Sequence, residues 1–180
     1  AMLPALAGAW RHFGGGLLHM TYELFGEALN WESINLPGSL ANPTTRSINM
    51  IELGKALNNQ ELTPRIEALI VFNSNPAVTT PNQNLVLKGL ERNDLLTVVS
   101  EHFLTDTARY ADYIFPATTV LENWDILDSW GTPYININEP AIKPVGESKP
   151  NSELFRLLSK EMGFKESYLY ESDIDIVRKT

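Results

Sequence analysis

Two asparagines, a serine and a proline, Asn73-Ser74-Asn75-Pro76, follow directly on the apolar run Ala68-Leu-Ile-Val-Phe72. Carboxamides and hydroxyls are neutral hydrogen-bond donors and carboxamide oxygens are acceptors, so this turn can carry ligand-binding chemistry. Asn-Pro is also an ordinary way to leave a strand, and residue type alone leaves both readings open. Two more polar turns follow apolar runs: Ser100-Glu101-His102 after Leu95-Leu-Thr-Val-Val99, and Ala117-Thr118-Thr119 after Tyr113-Ile-Phe115 and Pro116. His102 reads first as a loop histidine bonded to backbone or phosphate. A metal cluster around it is disfavoured, because His12 and His19 are distant in sequence and there is no cysteine. Glu122, Asp125 and Asp128, spaced i, i+3, i+6, read as a solvated acidic turn of helix ahead of a divalent-ion face. A stand-alone hydrolase built from Glu122, Asp125 and His102 is the least favoured reading.

These residues need a scaffold. Ala68–Phe72 is short and continuously apolar, the pattern of a parallel strand covered on both faces, and Pro76 forces the chain out of the sheet. Asn82 to Glu91 reads as a short helix, 95–99 as the next strand, Thr105 or Asp106 as the cap of a short helix to Tyr110, and 113–115 as a third strand. Strand, helix, strand at this spacing suits parallel crossovers, which would bring the three polar turns to one rim at the carboxyl ends of the strands. Leu3 to Phe13 reads as one helix ended by Gly14-Gly15-Gly16, and Leu17 to Leu29 as a second apolar stretch; Asn30 to Pro43 is turn-rich. Thr44 or Thr45 is expected to cap a helix closing near Asn58-Asn59. Tyr134 to Asn138 alternates like a half-buried strand, and Asn151 or Ser152 is expected to cap a helix over Glu153–Met162 ended by Gly163. A last helix is expected from Ser172.

The composition suits a globular domain: of 180 residues, 43% are apolar and 20% charged. A net charge of −8 and a pI near 4.9 argue against a nucleic-acid partner. Without cysteine the chain offers no disulfide, iron–sulfur ligand or thiol nucleophile. No apolar run reaches the roughly 18 residues of a membrane span. Ala1-Met2 reads as a vector residue before a start codon, no signal peptide is expected, and the compartment expected is cytoplasmic.

The succession Phe72-Asn-Ser-Asn-Pro76, Val98-Val-Ser-Glu-His-Phe-Leu-Thr-Asp-Thr-Ala108 and Tyr110-Ala-Asp-Tyr-Ile-Phe-Pro-Ala-Thr-Thr-Val-Leu-Glu122 resembles the molybdopterin oxidoreductase family. That family contains formate dehydrogenases, dimethyl sulfoxide and polysulfide reductases and nitrate reductases, and the resemblance is to its third, dinucleotide-binding-like domain. Ala5-Leu-Ala-Gly-Ala-Trp10 with Gly14–Gly16 resembles that domain's opening, and Ile142-Lys-Pro-Val-Gly-Glu147 its close. The resemblance covers residues 3–163 and leaves 164–180 as a tail or linker. It implies an α/β fold with a doubly wound, mainly parallel sheet flanked by helices, Rossmann-like in three layers. It also implies a bis-molybdopterin guanine dinucleotide carrying molybdenum or tungsten, with this domain holding the guanosine and phosphate part of one dinucleotide.

On this resemblance Ser100, Glu101 and Asn123 neighbour the cofactor, and Asn73, Ser74, Asn75, His102 and Thr105 complete the expected binding set. Glu101 stands where such folds set a carboxylate on ribose hydroxyls, or where it accepts from guanine N–H groups. The family's cluster cysteines and metal ligand lie in other domains, so this segment is expected to be catalytically silent alone. Its expected partners are the other domains of the same polypeptide, one of them with room for an iron–sulfur cluster, and an electron-transfer subunit. After Glu122 the sequence departs from the family's glycine-rich segment and Asn-x-Glu-Gly-Arg run, with Asn123-Trp-Asp-Ile-Leu-Asp-Ser-Trp130 in its place. The reading of another class is a nucleotide-free interaction domain whose polar turns meet a protein partner.

Overall fold

The structure, a computed structural model, describes residues 2–16, 25–26, 28–34, 45–128 and 132–180, and divides into two compact units. The larger unit takes in residues 38–123 and 140–171, and the smaller takes in 1–37, 124–139 and 172–180.

The larger unit is built on three parallel strands in the order β1 (Ala68–Phe72), β2 (Leu96–Glu101) and β3 (Tyr113–Pro116). Their register sets Phe72 beside Ser100 and Ser100 beside Phe115, with Glu101 beside Pro116. The carboxyl ends of all three strands therefore finish on one edge, as the apolar-run-then-turn pattern predicts. Asp112 pins β3 to β2 at the other end, accepting from the Thr97 N–H at 2.7 Å and donating its own N–H to the Thr97 carbonyl at 2.8 Å.

One face of the sheet is packed. Leu69 of β1 packs against the main core of Leu57, Ala77, Val86, Leu90 and Leu95, which α2 (Leu53–Asn58), α3 (Pro76–Thr79) and α4 (Gln83–Leu90) help to form, while Val71 of β1 and Val99 of β2 cluster with Ala108. Two glycines let α2 and α4 approach. A Cβ on Gly89 would come within 2.5 Å of the Leu57 Cβ, and one on Gly54 within 2.9 Å of the Val86 backbone nitrogen. The opposite face is open: Ile70 (47% exposed), Phe72 (45%) and Tyr113 (61%) share it by register and alternation. Phe155 of α5 (Asn151–Glu161) covers one end, edge-on to Phe72 with ring centroids 5.3 Å apart. The continuous apolar run of β1 predicts two covered faces; among the described residues one is packed and the other is covered in part, by α5.

Local readings need correction elsewhere. Leu3–Phe13 is not one helix but α1 (Leu3–Leu6) and a 3-10 turn, Ala9–Arg11, separated by Gly8 in the left-handed region at φ 66°. The helix before β1 starts later than Thr45. Asn49 accepts from the Ile51 N–H at 3.2 Å and opens a 3-10 turn, Met50–Glu52, that runs into α2. Thr44 and most of Leu17–Leu29 lie outside the described residues.

In the smaller unit β4 (Asp125–Leu127) pairs antiparallel with β5 (Asn136–Asn138), so Asp125 lies on a strand and the acidic triplet has no common helical face. Aspartates flanking Ile126 mimic a helix in spacing, but the partner strand decides the conformation. The final helix, α6 (Asp173–Lys179), is capped as expected by Ser172, whose hydroxyl accepts from the Asp175 N–H at 3.3 Å. Among the described residues no helix is long and apolar enough to cross a membrane.

Candidate cofactor site

The rim at the carboxyl ends of β1, β2 and β3 carries the predicted residues, organised into three hydrogen-bonded groups. Asn73, the first residue past β1, adopts a left-handed conformation at φ 52°, which asparagine tolerates better than most side chains. Its side-chain oxygen accepts from the Asn151 amide at 3.1 Å, and the Asn151 oxygen accepts from the Ser100 hydroxyl at 2.8 Å. The exits of β1 and β2 are thereby tied together through the first residue of α5. Ser74 is exposed, and its hydroxyl has no hydrogen-bond partner among the described residues.

Asn75 serves the interior. Its side-chain oxygen accepts from both the Thr107 hydroxyl, at 2.7 Å, and the Thr107 N–H, at 3.2 Å, while the same hydroxyl accepts from the Ala77 N–H at 3.0 Å. Thr107 is completely buried, so this triangle is a strut between the β1 exit and the 3-10 turn Thr107–Tyr110. Thr105 caps that turn, its hydroxyl accepting from the Ala108 N–H at 3.2 Å. Asp106, the alternative cap, makes no capping bond and stands 3.9 Å from Arg109.

The third group joins the exits of β2 and β3. One oxygen of Glu101 accepts from the His102 N–H at 2.7 Å, and the other has no partner among the described residues. The His102 ring bonds through Nε2 to the Thr118 carbonyl at 2.7 Å. A carbonyl can only accept, so Nε2 carries the proton, and in the neutral ring Nδ1 is the acceptor, 3.9 Å from Glu101. Asn123 is reached through Thr118, whose hydroxyl is 3.5 Å from its side-chain oxygen.

Glu122 is buried, at 6% exposure, rather than solvated. Its carboxylate accepts from the Thr119 N–H at 2.7 Å, the Thr119 hydroxyl at 2.8 Å and the Val145 N–H at 2.6 Å. The Thr119 N–H and then the Val145 N–H are the chief causes that hold its pKa below the usual carboxylate value.

Segment 145–151 is the part of the rim that sequence reasoning missed. Val145 holds Glu122, Lys149 donates its N–H to the Pro116 carbonyl at 3.0 Å and accepts from the Thr118 N–H at 3.3 Å, and Asn151 joins Asn73 to Ser100. Asn151 after Pro150 reads locally as a helix cap, yet α5 has no side-chain cap, and the Asn151 amide is turned to partners 51 and 78 residues away. No short-range pattern encodes those partners.

At the amino ends of the strands lies a cleft of about 530 Å³ lined by Arg65, Arg92, Lys88 and Asp94. It is the wrong end of a parallel sheet for a ligand. Arg92 is also occupied, donating to the Leu57 carbonyl at 2.6 Å, the Ile66 carbonyl at 3.1 Å and Asp94 at 2.9 Å. The bond from Arg92, ahead of the charge of Arg65, lowers the Asp94 pKa.

The family model described as Molybdopterin oxidoreductase matches residues 9–161. The chain belongs to that family. Over 179 residues it is 42% identical to "Probable oxidoreductase YoaE" of Bacillus subtilis, covering 99% of this chain and 26% of that protein. Acetylene hydratase of Syntrophotalea acetylenica is 30% identical over 144 residues, 79% of this chain and 18% of that protein. The solved structure of acetylene hydratase from Pelobacter acetylenicus superposes with a TM-score of 0.61 at 30% identity, over 71% of this chain and 17% of that one. The chain thus spans about a quarter or less of the relatives it matches. In this family the α/β fold with a parallel sheet and flanking helices is a molybdopterin enzyme domain.

Family membership implies a molybdopterin cofactor in the parent enzyme, and the donor set of the rim suits its polar end. Uncommitted there among the described residues are the NH2 groups of Asn73 and Asn75, the Ser74 hydroxyl and one oxygen of Glu101: neutral donors for phosphate or carbonyl oxygens and an acceptor for N–H or O–H groups. Among the described residues no group of His, Asp and Glu is arranged to hold a metal ion.

Proposed function

We propose that this chain is the part of a molybdenum- or tungsten-dependent oxidoreductase that holds the guanosine and phosphate portion of one molybdopterin guanine dinucleotide. The observation that carries the reading is the register of β1, β2 and β3, with Phe72, Ser100 and Phe115 side by side and the polar turns after them on one edge. The Asn73 amide and the Ser74 hydroxyl donate to phosphate oxygens, and the free oxygen of Glu101 accepts from ribose hydroxyls or guanine N–H groups. His102 orders the rim through the Thr118 carbonyl and moves no proton through Nε2, which is occupied. Thr105 and Asn75 support the turn from beneath, and Asn123 continues the rim beyond Thr118. When bound, the cofactor supplies two-electron or oxygen-atom transfer at its metal, and this chain supplies orientation.

The partners of this reading are the other domains of the same polypeptide, for which the open sheet face around Ile70, Phe72 and Tyr113 offers an apolar surface. An electron-transfer subunit acts beyond them. The test is equilibrium binding of guanosine diphosphate to the chain, with adenosine diphosphate as control. Losing a bond to a charged acceptor costs about 1.5–3 kcal/mol, so Glu101→Gln is expected to weaken guanosine diphosphate about 10- to 100-fold. Equal affinity for both nucleotides, or no effect of Glu101→Gln, contradicts the reading.

A further inference from the structure

We propose that Asn151, the first residue of α5, is a positioning residue that sets the polarity of the Asn73 amide, so that the rim offers a donor at Asn73. The inference rests on the cofactor reading for its ligand and on the hydrogen bonds for its geometry.

The three groups form a directed chain. Ser100 is buried, and its hydroxyl donates to the Asn151 oxygen at 2.8 Å. With that oxygen engaged, Asn151 presents its NH2 group, which donates to the Asn73 oxygen at 3.1 Å. The Asn73 oxygen is then engaged, and its NH2 group is the uncommitted end of the chain. The backbone of Asn73 is fixed in the left-handed region, so what remains to be set is which half of its terminal amide is free. Each donation polarises the next group, which strengthens the final donor. A ligand with acceptor oxygens, such as a phosphate or a carbonyl, completes this chain, and one presenting only N–H groups does not.

Only a side chain with both a donor and an acceptor at one end can occupy the middle position. Aspartate at 151 accepts from Ser100 and offers nothing to the Asn73 oxygen. The Asn73 amide must then turn its NH2 group inward, which leaves its oxygen at the rim.

The experiment uses the 15N-labelled 180-residue chain, follows the Asn73 side-chain NH2 signals, and titrates with guanosine diphosphate. Removing one neutral hydrogen bond is worth about 0.5–1.5 kcal/mol, so Asn151→Ala is expected to weaken the nucleotide about two- to tenfold and to displace the Asn73 NH2 signals. Asn73→Gly keeps a left-handed backbone and deletes the amide, so it is expected to show the same loss, with no further loss in the double variant. Ser100→Ala, which breaks the chain one bond earlier, is expected to shift the same NH2 signals and covers the case in which Asn151→Ala fails to fold. Unmoved Asn73 signals in both variants overturn the inference, as does an Asn151→Ala effect that persists undiminished in the Asn73→Gly background. If the wild-type chain does not bind guanosine diphosphate, the cofactor reading fails by itself, and the Asn73 signals still decide whether Asn151 positions that amide.

Discussion

The strut beneath the asparagine turn makes a prediction that hydrophobicity alone would reverse. Thr107 has no exposed surface, and its hydroxyl both donates to the Asn75 oxygen at 2.7 Å and accepts from the Ala77 N–H at 3.0 Å. Thr107→Val conserves volume and adds apolar surface, but it strands the N–H of Ala77, itself fully buried. A buried donor without a partner costs about 1–3 kcal/mol, and the lost bond to Asn75 adds roughly 0.5–1, giving about 1.5–4 kcal/mol in total. Thr107→Ser keeps both bonds and removes one methyl, for about 1 kcal/mol. At about 2–4 °C per kcal/mol for a chain of this size, valine should lower the unfolding midpoint by about 3–16 °C and serine by only about 2–4 °C. The described tryptophans, Trp10, Trp31 and Trp124, fall in the smaller unit, so far-UV circular dichroism with urea and heat is the suitable assay. A valine variant as stable as the serine variant, or more so, would refute the reasoning that Asn75 acts as a strut.

Other residues give shorter tests. Thr97 is completely buried with its hydroxyl unpaired among the described residues, so Thr97→Val should stabilise the chain by about 1 kcal/mol in urea unfolding; destabilisation would count against that burial. Gly89→Ala sets a Cβ within 2.5 Å of the Leu57 Cβ, and overpacking of this kind should cost about 1–3 kcal/mol, read from the urea midpoint. Glu122 has a pKa held below its ordinary value of 4.5, so its ionised form is bound more tightly folded than unfolded. Its contribution is complete above about pH 4.5 and is lost as the pH falls through the depressed folded pKa, so stability should drop with acid in that window. Glu122→Gln should flatten the drop, and an unchanged acid limb would contradict the assignment.

What the sequence made legible follows from the range of the interactions involved. The three strands and the rim were readable because an apolar run ending in Pro76 or Pro116 is a local signal, and parallel crossovers carry such ends to one edge. The left-handed residue at the head of the first turn is an asparagine, a type suited to that conformation. The acidic triplet misled because its helical spacing is also compatible with a strand, and pairing of Asp125–Leu127 with Asn136–Asn138 settled it. Glu122 could not be read as buried, since Val145, 23 residues on, supplies one of its bonds. Asn75 and Asn151 are the instructive pair. Both are polar residues beside a proline; one is drawn inward by Thr107 and the other outward to Asn73 and Ser100, and only tertiary packing separates them.

On the function proposed above, the edge formed by the ends of β1, β2 and β3 holds a guanosine phosphate. Backbone amide mapping of the 15N-labelled chain during titration with guanosine diphosphate tests it most directly. Shifts are expected to concentrate at Asn73–Asn75, Ser100–His102 and Asn123, with the residues around Arg65 and Arg92 unmoved. Shifts centred on the Arg65 and Arg92 cleft instead, with the rim silent, would contradict it.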